Sequence, residues 1–202
     1  PELRTLYKDY FEHVITSSFT NPELLTVGEN NETKISRPGN YMEPGIAHML
    51  SLQMLKGSRD ALKDPTSLLL AESTAKALFG TKDPMGENVQ IGTSMKAQVA
   101  GVYKDLPQNS DFADLGFIAP WQLLNTVANF EARVGWGNNW FQTYVQLAKG
   151  TNIEDVSALI RDVKYNNIKT EGDSQDPLNK PIIHLHPMKD WHLKGSFENG
   201  IS

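Results

Sequence analysis

The sequence predicts a mixed α+β fold, and three observations carry that expectation. Short apolar or β-branched stretches with strand character recur along the chain, as at 14–16, 24–27, 89–91 and 141–147. Between them lie segments with three-and-four apolar spacing, most clearly Ile153, Val156, Ile160 and Val163. No stretch recurs at a fixed period, and there is no low-complexity tract. The 202 residues are 39% hydrophobic, 21% charged and 9% aromatic, the composition of a globular chain. A chain of this size buries roughly 70% of the surface it exposes when unfolded.

Element by element, Leu3, Leu6, Tyr7, Tyr10 and Phe11 mark one face of an amphipathic helix over residues 1–14, with Arg4, Lys8, Asp9 and Glu12 opposite. Val14-Ile15-Thr16 and Leu24-Leu25-Thr26-Val27 read as strands, the second leading through a polar turn at 28–32 to Thr33-Lys34-Ile35. Pro38 and Gly39 punctuate the next stretch, and Pro44 opens a short helix from Gly45 to Leu50. Gly57 closes that unit.

Ser67–Ala71 is a compact apolar run suited to a buried strand. Glu72–Phe79 follows as a two-turn helix, with Gly80 where a left-handed C-terminal residue is favoured. Asp83-Pro84-Met85-Gly86 makes a turn, and 89–91 and 96–103 follow as a strand pair that ends before Pro107. Residues 112–119 read as another strand, and Pro120 opens a helix through Leu123, Leu124 and Val127 toward Val134. Phe141, Thr143, Val145 and Leu147 share one side of a strand. Thr151 as N-cap with Glu154 three residues on forms a capping box for the helix that follows. Ile182–His186 returns as a strand, which gives a βαβ-like unit.

Charge and composition exclude several functions. Nineteen Lys and Arg against twenty-four Asp and Glu give a net charge of −5 with no long basic cluster, so nucleic acid is not an expected partner. The absence of cysteine excludes disulfides, thiolate metal sites and cysteine nucleophiles. No apolar run approaches the ~20 residues of a membrane span. The chain begins at Pro1 without an initiator Met and reads as an excised fragment.

Two constellations are candidates for chemistry. His184 and His186 would share a face of a strand and could meet one metal ion, with His192 six residues on. The competing reading places Ile183 and Leu185 in the core and the histidines in solvent, and no HExxH motif supports a metal-dependent hydrolase. Gly135-Trp136-Gly137-Asn138-Asn139-Trp140 could stack a carbohydrate or bind a peptide; the favoured reading is a loop anchored by indole burial. Neither GxSxG nor a phosphate-binding glycine loop occurs, and Asp111 and Asp114 read as solvated carboxylates. The expectation is therefore no catalytic centre, no cofactor and no metal. His184 and His186 remain as metal candidates, and Trp136 and Trp140 as a partner or ligand surface.

A set of runs resembles the extracytoplasmic core domain of FtsX-like, MacB-type ABC transporter permeases. They are Ser67–Gly80, Asp83-Pro-Met-Gly-Glu-Asn-Val89 and Val99-Ala-Gly-Val-Tyr-Lys-Asp-Leu-Pro-Gln-Asn-Ser110. Tyr41-Met-Glu-Pro, Leu50 to Gly57 and His192-Leu-Lys-Gly-Ser-Phe197 add to the resemblance. Trp136-Gly-Asn-Asn-Trp140, with Thr143–Leu147 and Lys149–Asn152, is similar to the variety common in Bacteroidetes. The resemblance implies a two-lobed domain between two membrane helices. A Porter-like lobe with βαβ elements would come from both chain ends (1–37 and 120–202), and a Sabre-like mixed lobe from 38–119. It further implies a non-enzymatic domain on the periplasmic face of the inner membrane. The implied partners are a second permease subunit in a dimer, a separate cytoplasmic ATPase that uses the ATP, and a periplasmic or outer-membrane protein. Export, lipoprotein release and mechanotransmission are the family's uses of the architecture.

Overall fold

The computed structural model describes residues 2–28, 32–128, 135–137, 139–171 and 180–191. The chain forms two compact units. Unit 1 comprises Pro1–Val14, Val134–Asn139 and Val145–Ser202; unit 2 comprises Ile15–Arg133 and Trp140–Tyr144. Two strands carry the chain from one unit's residues into the other's: β1 (Phe11–Ser17) and β9 (Gln142–Leu147).

Unit 2 is organised by strands whose pairing closes on itself. These are β2 (Asn21–Val27), β3 (Thr33–Met42), β4 (Met54–Gly57), β5 (Ser67–Ala71), β6 (Asn88–Ile91), β7 (Met95–Tyr103) and β8 (Phe117–Pro120). Neighbours run β2-β6-β7-β5-β8-β3, and β3 pairs back onto β2 over seven residue pairs, from Asn21↔Gly39 to Val27↔Thr33. Closure removes the exposed edges that an open sheet would present. After the short helix α2 (Ile46–Met49), β4 attaches outside the ring, on β7.

Local sequence explains the parts of this ring. β5 is buried at all five positions, as its uninterrupted Ser-Leu-Leu-Leu-Ala run requires of a strand covered on both faces. It is parallel to β7, and the crossover this demands is supplied by α3 (Glu72–Phe79) and β6. α3 buries Thr74, Ala75 and Leu78 and ends on Gly80 at φ +61°, a conformation only glycine adopts cheaply. β6 and β7 form the expected antiparallel hairpin, Val89↔Ala97 and Ile91↔Met95. One face of the ring is a continuous core of Leu25, Leu68, Leu70, Val99, Phe117 and their neighbours, with Ala75 and Leu78 of α3 packed into it. Gly39 is part of that packing: a Cβ there would fall 1.9 Å from the Phe117 ring, so only a bare backbone fits beside the phenyl group.

Among its described residues, unit 1 has a smaller core. α1 (Glu2–Thr5) precedes a 3-10 turn at Lys8–Tyr10, and α5 (Ile153–Ile160) and α6 (Val163–Glu171) supply the helices. Phe11, Val156, Ile160 and Val163 are buried together, with Val145, Leu147, Ile183 and Leu185 packed against them. The Ala148 N–H donates to the Tyr10 carbonyl at 2.9 Å, which ties the end of β9 to the start of β1.

Several sequence expectations are corrected. The amphipathic helix expected over 1–14 ends at Thr5, and Phe11 begins a strand. The burial of Phe11 among α5 and α6 residues overrides its helical spacing, and Leu6 on the expected apolar face is 73% exposed. Pro38 and Gly39 lie inside β3; Pro38, which has no N–H, contributes its carbonyl to the Gly116 N–H at 2.8 Å. The strand expected over 112–119 shortens to β8, because Ser110–Leu115 is folded into turns closed by Ala113 N–H to Ser110 and Leu115 N–H to Phe112. Pro120 ends that strand, and α4 (Trp121–Ala128) follows; the expected extension toward Val134 and part of the 28–32 turn lie outside the described residues.

The cap of α5 is Asn152 rather than Thr151. Its Oδ1 accepts from the Glu154 and Asp155 N–H groups at 2.8 and 3.2 Å, because the helix starts one residue later than the capping box places it. Residues 182–186 join no strand ladder, so the final strand of the expected βαβ-like unit is not formed there.

Candidate functional site

The two sequence candidates separate once the side chains are placed. In unit 1 the 182–186 stretch runs against α5 and its C-terminal end, where Ile183 N–H donates to the Arg161 carbonyl at 2.8 Å and Leu185 N–H to Ser157 Oγ at 3.1 Å. Ile183 and Leu185 pack on the core, while His184 is exposed with its Nδ1 3.4 Å from Ser157 Oγ. Ile183 and Leu185 thus turn to the core and His184 to solvent, set by one backbone and one side-chain bond, while His186 is half-buried with its Nε2 shielded from solvent. The carbonyl of His186 accepts from the Trp191 indole N–H at 3.3 Å, and His192 lies outside the described residues. Among the described residues no group of three or more His, Cys, Asp or Glu is placed to share a metal ion, and a zinc centre takes three or four protein ligands.

Trp136 belongs to unit 1 and packs against its hydrophobic core, as an anchoring indole does. Trp140 belongs to unit 2 and is 65% exposed. Asn139 accepts a hydrogen bond from Lys164 Nζ at 2.8 Å, which holds the loop to α6; Asn138 lies outside the described residues. Asp111 and Asp114 are both exposed.

The polar constellation that the structure does assemble lies where β1 enters unit 2. Asn40 and Ser17 are fully buried, and Asn40 Oδ1 accepts from Ser17 Oγ at 3.1 Å and from Ser18 Oγ at 2.7 Å. The Asn40 amide nitrogen donates to Thr20 Oγ1 at 3.0 Å. The ladder continues alongside, with Ser18 N–H to the Tyr41 carbonyl at 2.9 Å and Tyr41 N–H to Ser18 Oγ at 3.1 Å. One residue earlier, Thr16 N–H donates to the Glu43 carboxylate at 2.5 Å, and Glu43 N–H returns to the Thr16 carbonyl at 3.0 Å. A buried network satisfied on this scale holds a strand in one register, because each broken partner leaves a desolvated polar group. Sequence reasoning missed it, since Ser17, Thr20 and Asn40 sit in separate, ordinary contexts.

A second missed residue explains part of the Val99–Ser110 run. α3 begins after Ala71, which offers no capping side chain. Asp105, from the loop after β7, supplies the cap: its Oδ1 accepts from Ser73 Oγ at 2.6 Å and from Ser73 N–H at 3.3 Å. The preceding strand is fastened by Tyr103, whose hydroxyl donates to the Leu115 carbonyl at 2.6 Å.

Burial pushes the Tyr103 phenol far above its ordinary range, with Asp105 adding to the effect, and burial with Glu23 does the same to Tyr41. Hydrogen bonds from Lys63 and His48 hold Asp60 below the usual carboxylate range, and Lys56 does so for Asp83.

The profile of the MacB-like periplasmic core domain matches residues 2–163, and the chain belongs to that family. Among solved structures, it is similar to a domain of a proposed permease from Porphyromonas gingivalis (TM-score 0.65, 19% identity, covering 86% of this chain and 70% of that one). It is also similar to the periplasmic region of MacB from Actinobacillus actinomycetemcomitans (TM-score 0.60, 16% identity, 87% and 74% covered). A third likeness is to the extracellular domain of the noncanonic ABC-type transporter YknZ from Gram-positive bacteria (TM-score 0.58, 17% identity, 86% and 82% covered). No curated protein matches the sequence. Among the described residues, no helix is long and apolar enough to cross a membrane.

Proposed function

We propose that this periplasmic domain is a non-catalytic part of an ABC transporter permease and passes ATP-driven conformational change across the inner membrane. In this reading a separate cytoplasmic ATPase binds and hydrolyses the nucleotide, the domain holds no cofactor, and a second permease subunit and a periplasmic or outer-membrane protein are the partners. The observation that carries the reading, beside family membership, is that β1 and β9 each contribute residues to both compact units. The reading retains a Porter-like and a Sabre-like lobe. In its support, unit 1 draws on both chain ends and unit 2 on the middle of the chain.

The test is excision. The full-length permease is reconstituted with its ATPase, with and without this domain, and transport and ATP hydrolysis are measured together. Excision should leave hydrolysis running while transport per ATP collapses. Unchanged transport per ATP would overturn the reading.

A further inference from the structure

Residues Trp140–Tyr144 belong to unit 2, although the residues on both sides of them in the chain belong to unit 1. Two edge-to-face aromatic pairs account for this. The Phe141 ring meets the Trp121 indole at a centroid distance of 6.0 Å and an interplanar angle of 67°, and the Tyr144 ring meets Phe112 at 5.6 Å and 74°. Both receiving rings are buried, Trp121 to 7% exposure and Phe112 to 8%. Both also stand on well-fixed backbone. Trp121 follows directly on β8, buried at all four positions, and Phe112 sits in the turn closed by its own N–H to Ser110 Oγ and by Leu115 N–H to its carbonyl. The Leu115 carbonyl is held in turn by the Tyr103 hydroxyl. The Tyr144 hydroxyl makes a local bond apart from the ring contact, donating to Gln142 Oε1 two residues back at 2.7 Å. Edge-to-face rings at these separations attract beyond the area they bury, and they prefer one orientation, so they hold position as well as contact.

We propose that Trp121 and Phe112 form an aromatic dock that grips residues 140–144 and carries displacement of unit 2 into β9. This inference rests on the transmission reading above and assigns it a mechanical part. The dock residues are positioning residues. Their work is to make the first half of β9 move with unit 2, so that the second half, Val145–Leu147, moves in unit 1.

The experiment uses F141L/Y144L, which keeps apolar bulk and removes both rings, beside Y144F, which keeps the ring. In the 202-residue chain, amide hydrogen exchange over 140–147 should quicken about tenfold in F141L/Y144L, with β5 and β7 unchanged, and Y144F should match wild type. Unchanged exchange over 140–147, or equal quickening in β5 and β7, overturns the dock. In the full-length permease with its ATPase, F141L/Y144L should lower transport per ATP several-fold while Y144F keeps it. A released segment with undiminished transport per ATP overturns the claim that the dock transmits and leaves the broader reading standing. If excision of the whole domain costs no transport, that broader reading fails and the transmission claim falls with it, while the exchange result still decides whether the rings hold the segment.

Discussion

The two units of this chain differ in how they are closed. Unit 2 is a ring of strands in which β3 returns to β2, with a core that includes Leu25, Leu68, Leu70 and Phe117 at or near zero exposure. Unit 1 relies on Phe11, Val156, Ile160 and Val163, with half-buried side chains around them. Unit 2 gains resistance to deformation from ring closure, whereas the described residues of unit 1 are held by a mixed aromatic and aliphatic cluster without such a ring.

The comparison breaks most severely if unit 2 is not the stiffer body. Replacing Phe117 with Ala removes a fully buried ring seated against Gly39 and should cost about 3–5 kcal/mol in the denaturant unfolding of unit 2. A loss below about 1 kcal/mol would mean that the ring core is not what holds it. Ile160→Ala should cost about 2–5 kcal/mol and act on unit 1 alone, seen as faster hydrogen exchange in α5 and α6 with β5 unchanged. Equal acceleration in β5 would show a single cooperative body instead of two. Asn152→Ala sharpens the picture at about 1 kcal/mol, while Thr151→Ala should be near neutral; the reverse order would restore the sequence-based cap.

The smallest effect is electrostatic. Asp60, Asp64 and Asp83, all in unit 2, have carboxyls held below their ordinary range, by Lys63 and His48, by Thr66 and by Lys56 respectively. The unfolded chain therefore binds more protons than the folded one as pH falls. Their contribution is present above about pH 4, the unfolded carboxylate range, and is lost as pH falls through the folded values. The groups are exposed, so the effect is slight. The gap in urea midpoint between wild type and the triple Asn variant should narrow from pH 7 to pH 3, and a constant gap would refute the assignment.

What could be read from sequence was local. Glu72–Phe79 ends on Gly80 as its own residues dictate, and Ser67–Ala71 declares a doubly covered strand by apolar content alone. What escaped was set by distant partners. Phe11 leaves its helical pattern because α5 and α6 bury it, and Asp105 caps a helix thirty-two residues away. Ring closure needs β2 to find both β3 and β6, which no window of sequence contains. The site divided along the same line. The anchoring role of Trp136 follows from the character of an indole, whereas the Asn40 network joins residues that are unremarkable apart.

If the domain relays ATP-driven change as proposed, nucleotide turnover by the separate ATPase should displace the two units, and one label in each reports that displacement. The chain contributes no cysteine, so Lys76→Cys on α3 and Ala158→Cys on α5, both exposed, give one spin label in each unit. In the full-length permease with its ATPase, the interlabel distance distribution should shift when ATP is trapped and return after hydrolysis. An unchanged distribution during active turnover would contradict the account.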